Sequence, residues 1–479
     1  MSRRRIDASH VIAYQDGGHR HLVDGTVVTD GNTIVHVGPR GSFNEPVDET
    51  IDASGMILTP GFINTHAHLY ESPLDKSFVE DKGRRQFYLS GLFEYLPVRS
   101  MAMDDEGARA CLAYSMAELL RTGTTTVLEI GSYGDWAIEE AGKVGMRLSM
   151  GLGYRSGRWY TDDGKAVKYE WNEEAGLANM KKAIDFLERT SGSQNGRITG
   201  FLSPSQVDTC TEDLLRKSRD AATNLGVPIA LHTSQSVNEF LEMTRRHGKT
   251  PIEWLRDMNF LGPDVILGHC IILAPGSWTN WPGDDIGILA DTGTNVAHCV
   301  WVFARRGIAM ESFARYVERG VNMTLGTDTC PQSMIDSLRY TAVVSKVVDR
   351  QTEVATAADV FNAATINGAK AMGRDDLGRI APGAKADLLL WEGQSLFMVP
   401  LRDPLRNLVY SAQPEDLHTV IIDGEVRMKA REIPGVDVPT LARDLQAAGE
   451  RMWANVHKGD WAGRDINQLA PQTFPPFRG

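Results

Sequence analysis

The 479 residues include 62 acidic and 50 basic side chains, a formal charge of -12, with 42% hydrophobic and 23% charged residues. Without a lysine-rich block that balance excludes a nucleic-acid surface, and the composition is that of a globular chain, neither disordered nor membrane-embedded. The length calls for one large domain and a smaller satellite.

No run approaches the ~20 apolar residues of a membrane span, and the start lacks the apolar core of an export signal, so a cytoplasmic enzyme with no membrane partner is expected. The five cysteines, Cys111, Cys210, Cys270, Cys299 and Cys330, form no CxxC pair and read as reduced thiols. Cys330, two residues after Asp328, is either a wall of a pocket or a small buried residue packed near a strand end.

From the N-terminus, short β-like runs at 21–23, 26–28 and 33–37 are separated by Asp16-Gly17-Gly18, Asp24-Gly25 and Asp30-Gly31, which predicts hairpins. The same texture returns at 383–391 and 420–426, so the two chain ends are expected to share one small β domain. Between them, apolar strand runs at 57–69, 124–130, 146–154, 198–203, 228–233, 265–273, 295–302 and 322–327 alternate with helical patterns at 103–122, 173–189, 212–225 and 311–319. A capping box, Ser236-Val237-Asn238-Glu239, starts a further helix after the fifth run. Eight strand–helix units predict an α/β fold, a (β/α)8 TIM barrel, with its chemistry at the carboxyl ends of the strands. The expected division is 1–60 and 377–430 for the β domain, 61–376 for the barrel, and 431–479 for a helical extension, around 441–456, with an irregular tail.

The strongest chemical signal is Pro60-Gly61-Phe62-Ile63-Asn64-Thr65-His66-Ala67-His68. Side chains alternate along a strand, so His66 and His68 face the same way and can grip one ion. Two ordinary hydrogen-bonded histidines are the alternative. His232, His269, His298 and Asp328 fall at the ends of the fifth, sixth, seventh and eighth runs, where a barrel presents functional groups. His10, His19, His21, His36, His247, His418 and His457 read as surface histidines.

Together with Gly123-Thr124-Thr125-Thr126, Leu231-His232-Thr233, Gly268-His269-Cys270, Ala297-His298-Cys299, Leu325-Gly326-Thr327-Asp328 and the returning Leu377-Gly378-Arg379-Ile380-Ala381-Pro382-Gly383-Ala384-Lys385-Ala386-Asp387, this strand resembles the amidohydrolase superfamily. The likeness is to its cytosine deaminase, guanine deaminase and triazine hydrolase branch, and more loosely to phenylurea and molinate hydrolases. It implies a β-sandwich made by the chain ends, a homo-oligomer and a small-molecule substrate. It also implies His66, His68, His232 and Asp328 as ligands of one divalent transition metal ion per subunit, zinc first, with cobalt, iron or manganese also accommodated. Asp328 would move the proton of the attacking water, and His269 and His298 would donate to developing charge, a structural histidine being the alternative at 298. Two-metal members bridge their ions with a fourth-strand lysine, and 198–206 contains none, so a single metal is expected.

Two departures bear on function. Deaminases of this branch place a glutamate three residues after the fifth-strand histidine, and here stands Gln235, whose amide hydrogen-bonds but does not titrate. After Cys299 the deaminase-like Pro-x-Ser-Asn is replaced by Val300-Trp301-Val302-Phe303-Ala304-Arg305-Arg306. The sequence therefore favours cleavage of a non-peptide amide, urea, carbamate or thiocarbamate of a small aromatic or cyclic molecule, as in xenobiotic degradation. The alternative is an aminohydrolase or dechlorinase of an N-heterocycle of cytosine, guanine or triazine type. Gln235, Tyr70, Tyr88, Trp159, Trp301 and Phe303, with the loop 69–78, are the expected substrate-binding groups. Every ligand position holds a competent residue, so an enzyme is expected rather than a metal-free scaffold.

Overall fold

Asp16 and Gly17 have φ of 51° and 79°, the pair of left-handed residues that closes a tight hairpin between Arg3–Gln15 and Gly18–Asp30. Thr33–Pro39 extends this antiparallel meander, while Glu49–Pro60 returns to lie parallel to the first strand. Leu388–Glu392, Leu417–Ile422 and Glu425–Lys429 then complete a seven-stranded sheet. The computed structural model describes residues 3–80 and 83–477. The two chain ends meet as expected, their strands hydrogen-bonded into one seven-stranded sheet.

The run expected as a single strand over 57–69 divides at Gly61. Before it, Glu49–Pro60 belongs to the end sheet; after it, Phe62–Ala67 is the first barrel strand. A Cβ at Gly61 would lie 2.1 Å from Thr125 Oγ1, so only glycine fits where the chain passes between the two sheets.

The remaining barrel strands follow in chain order: Thr124–Gly131, Arg147–Tyr154, Ile198–Gly200 continued by Ser203–Pro204, Ile229–Thr233, Val265–His269, Asn295–His298 and Asn322–Leu325. All pair in parallel, in two sheets that divide the eight between the first four and the last four. No continuous ladder joins the sheets; isolated parallel bridges link Ala67 to Asp328 on one side, and Leu202 to Ile229 and Gln206 to His232 on the other. The architecture is α/β of TIM-barrel type. Leu128, Ile130, Phe201, Ala230, Ile266 and Ala297 fill one buried cluster from successive strands, so the barrel interior is packed rather than open.

The amphipathic helices form where their end signals predict. Glu212–Leu225 starts on Thr211, whose hydroxyl accepts from Leu214 N at 3.2 Å, and stops at Gly226 with φ 65°. Ser236 caps Val237–His247 by accepting from Glu239 N, but the Glu239 carboxylate turns to the Ser234 and Gln235 amides instead of closing a capping box. The third strand is clamped to the end sheet by Arg147, 4% exposed, which donates to Asp387 at 2.7 and 3.1 Å and to Asp423 at 2.6 Å.

The helical extension runs Val438–Asn455 and packs on Asp105–Arg121 through Leu445, Ala448 and Met452. Its Trp453 donates to Ser77 at 2.6 Å, and Trp461 donates to Glu94 at 2.8 Å. The extension thus braces the segment that follows the first barrel strand. His19 is also corrected: it is not a free surface group but contacts Thr365 Oγ1 at 3.0 Å and meets the Phe361 ring edge-on. Among the described residues no helix is long and apolar enough to cross a membrane.

Candidate metal centre

His66 and His68 project from the end of the first barrel strand, and His232 from the end of the fifth. His68 Nδ1 contacts the Ile130 carbonyl at 2.7 Å and His232 Nδ1 the Ser205 carbonyl at 2.5 Å. A carbonyl only accepts, so each Nδ1 carries the proton and each Nε2 a lone pair. Those two Nε2 atoms lie 3.1 Å apart, with the rings stacked at 10°. Two facing lone pairs repel unless a cation takes both. His66 Nε2 is buried and has no hydrogen-bond partner, and ligand atoms of His66, His68 and His232 all fall within 4.8 Å of one another.

Asp328 completes the set from just beyond the eighth strand. Its Oδ1 lies 3.8 Å from His68 Nε2 and its Oδ2 3.8 Å from His269 Nε2. His269 and Asp328 have φ of 87° and 60°, a left-handed backbone that ends the strand and that non-glycine residues adopt at a cost. Gly268 and Gly326 make room for His66: a Cβ on either would come within 2.7 Å of a His66 atom.

The electrostatics suit a metal. Burial first, then the neighbouring imidazoles, hold His66 and His269 well below the usual histidine range, and burial with His68 brings His232 down to about 3. These rings are neutral ligands at neutral pH, so little proton competition opposes an ion. Burial raises the Asp328 carboxyl, and His68 opposes that rise. Three imidazole nitrogens and a carboxylate are a donor set for zinc or a similar ion. Cys299, which the sequence did not single out as a ligand, brings its sulfur within 4.8 Å of ligand atoms of His66, His269 and Asp328. Burial pushes its thiol well up.

The centre opens into a cavity of about 500 Å³. Of the expected substrate-binding groups, Tyr70, Trp159, Gln235 and Phe303 line it, and no lysine among the described residues does. Trp159 is fixed by donating to the buried Asp208 at 2.6 Å. Gln235 Nε2 is buried without a partner. Side chains of Ser72, Pro73 and Leu74 in the loop 69–78 lie outside the described residues.

Three expectations fail. Strand alternation extended to 302 would have turned Trp301 inward, but the strand stops at His298 and Val300–Ala304 is helical, which stacks Trp301 on Tyr340 at 4.7 Å, outside the cavity. Tyr88 is 44% exposed and lines nothing there. His298 is buried beside Phe313 and does not line the cavity; burial lowers it to about 4, so its ring is neutral. Glu71 and Asp75 of the loop 69–78 line it as expected, and the wall also includes Arg99, Arg155, Gln206 and Arg306, which the sequence did not single out. Charged residues in aperiodic loops gave no pattern to read.

Comparison with known proteins follows the same lines. The model of the Amidohydrolase family matches residues 57–427. A 5'-deoxyadenosine deaminase of Methanosarcina barkeri is 30% identical over 442 residues, 91% of this chain and 95% of that protein. Among solved structures, an adenosine deaminase from Xanthomonas campestris with bound zinc superposes with TM-score 0.80 at 22% identity, covering 94% of this chain and 98% of that one. An atrazine chlorohydrolase from Arthrobacter aurescens TC1 complexed with zinc gives TM-score 0.80 at 22% identity, covering 93% and 100%.

Proposed function

The chain belongs to the amidohydrolase family, and from that premise we propose that it removes an amino group hydrolytically from a carbon of a small nitrogen heterocycle, releasing ammonia. It is an enzyme that hydrolyses carbon–nitrogen bonds with a single divalent metal ion, zinc being the ion bound in the structural neighbours. The observation that carries the finer reading is the near full-length likeness to a deaminase combined with an intact ligand set at a cavity of about 500 Å³.

His66, His68, His232 and Asp328 would hold the ion, which when bound lowers the pKa of water to around 7 and so provides a nucleophile at neutral pH. Asp328, facing both His68 and His269 at 3.8 Å, takes the proton of the attacking water and returns it to the leaving amine. His269 donates to charge that builds on the attacked centre. Gln235 Nε2 donates a hydrogen bond to a ring nitrogen or carbonyl oxygen but transfers no proton. Of the cavity carboxyls, Glu71 is held by the Arg99 guanidinium and Asp75 faces Arg305, so proton transfer at the ring falls to Asp328.

From sequence alone, Gln235 placed direct attack on an amide, urea, carbamate or thiocarbamate first; the deaminase likeness reverses that order. Gln235 still favours such a bond as the second reading, and a part in degrading synthetic compounds goes with it. The homo-oligomer and the cytoplasmic setting remain part of the proposal. A panel of aminated purines, pyrimidines and triazines, anilides and phenylureas, assayed on zinc-loaded protein, tests the choice. Ammonia from a heterocycle is expected; release only of a larger amine from an anilide or urea would sink it.

A further inference from the structure

The charges on the cavity wall do not balance within the protein. Glu71 is paired with the Arg99 guanidinium, Asp75 lies 3.6 Å from Arg305, and Arg158 is answered by Glu170. Arg155 and Arg306, which also line the cavity, have no carboxylate partner among the described residues. They stand on different walls. Arg306 follows the seventh strand, donates to the Val302 carbonyl at 2.9 Å and lies over the Phe303 ring, which meets His269 edge-on at 4.7 Å. It belongs to the metal side of the cavity. Arg155 directly follows the third strand, whose range ends at Tyr154, and is open to the cavity. Surrounding protein and the Arg99 charge push the Arg155 pKa down, as expected of a cation that its neighbours do not neutralise.

An arginine stays charged at any physiological pH, and its planar fork matches a carboxylate or phosphate. We propose that the substrate carries an anionic substituent, a carboxylate or phosphate remote from the bond that is hydrolysed, and that Arg155 receives it on the third-strand wall. This rests on the assignment of the cavity to small-molecule hydrolysis. It predicts that a neutral heterocycle is a poor substrate beside the same ring carrying an acidic tail.

The test needs no knowledge of the true substrate. The full chain, zinc-loaded and zinc-free, is titrated calorimetrically with inorganic phosphate, benzoate and the uncharged benzamide, as wild type and as Arg155→Met. Both anions are expected to bind both metal forms about ten-fold or more tighter than benzamide, the scale of one charge-assisted contact. Arg155→Met should lose that advantage while keeping its benzamide affinity and its thermal midpoint. Equal binding of benzoate and benzamide, anion binding only when zinc is present, or full anion affinity in Arg155→Met would overturn the proposal. Arg155-dependent anion binding in a protein that releases ammonia from no heterocycle would instead overturn the reaction assigned above and leave the anion site standing.

Discussion

The Asp328 amide donates to the His66 carbonyl at 2.9 Å, and the Asp328 carbonyl accepts from the His68 amide at 2.7 Å. Residues more than 250 positions apart are thus joined through their backbones at the point where their side chains converge. The seam between first and eighth strands does not depend on the Asp328 carboxylate. Asp328→Asn should therefore lower turnover by about 10²–10⁴-fold, the range for a lost general base, with circular dichroism and thermal midpoint near wild type. Turnover within about threefold of wild type would contradict the role given to Asp328.

Arg147 is the structural counterpart. With its guanidinium removed, the nearly buried Asp387 loses its cation and Asp423 keeps only Arg197, 3.6 Å away. Breaking a buried pair in this way costs about 3–5 kcal/mol, so Arg147→Ala should lower the urea midpoint strongly. Arg147 does not line the cavity, so whatever protein remains folded should retain its metal content per mole, read by elemental analysis. A stability change under about 1 kcal/mol would show that the clamp contributes little.

His19 gives the end sheet a pH dependence. Burial, its largest influence, and Arg379 hold it at about 4, with the Ala13 backbone pulling the other way. In the unfolded chain it titrates near ~6.5. As pH falls the unfolded state takes up this proton first, so the stabilisation is complete above ~6.5 and is lost as pH drops toward 4. The urea midpoint of wild type should fall more between about pH 7.5 and about pH 5 than that of His19→Gln. The cluster histidines titrate in both proteins and cancel in the comparison; equal falls would remove His19 from the account.

Gln235→Glu separates the two readings of the reaction. If protonation at a ring limits the rate, a titratable group there should raise ammonia release from an aminated heterocycle by about tenfold or more. If the substrate is an amide or urea, the lost Nε2 donor should lower the rate instead. Initial rates on both substrate classes decide between them.

Much of this site was legible because barrel chemistry gathers at strand ends. His66, His68, His232, His269 and Asp328 were all found by asking which reactive side chains end an apolar run, and the structure brings them together. The same rule overreached at His298 and Trp301, where a short strand gives way to a helix and the alternation of faces ends. It overreached likewise at 270–273, because positive φ at His269 and Cys270 stops the sixth strand. The sequence announced Asp387 within the returning motif but not its partner: an ion pair between residues 240 positions apart leaves no local pattern. The cavity's arginines escaped for a similar reason, since a loop residue's direction is set by tertiary packing.

The passage at Gly61 also limits how the molecule can be dissected. One residue separates a strand of the end sheet from the strand bearing His66, and its amide is held by the Asp387 carbonyl at 2.9 Å. There is no tether along which the two bodies could be cut apart. A fragment spanning 61–376 would surrender the anchor at the root of its ligand-bearing strand, and so the sheet built from the two chain ends is the foundation on which the metal's geometry stands.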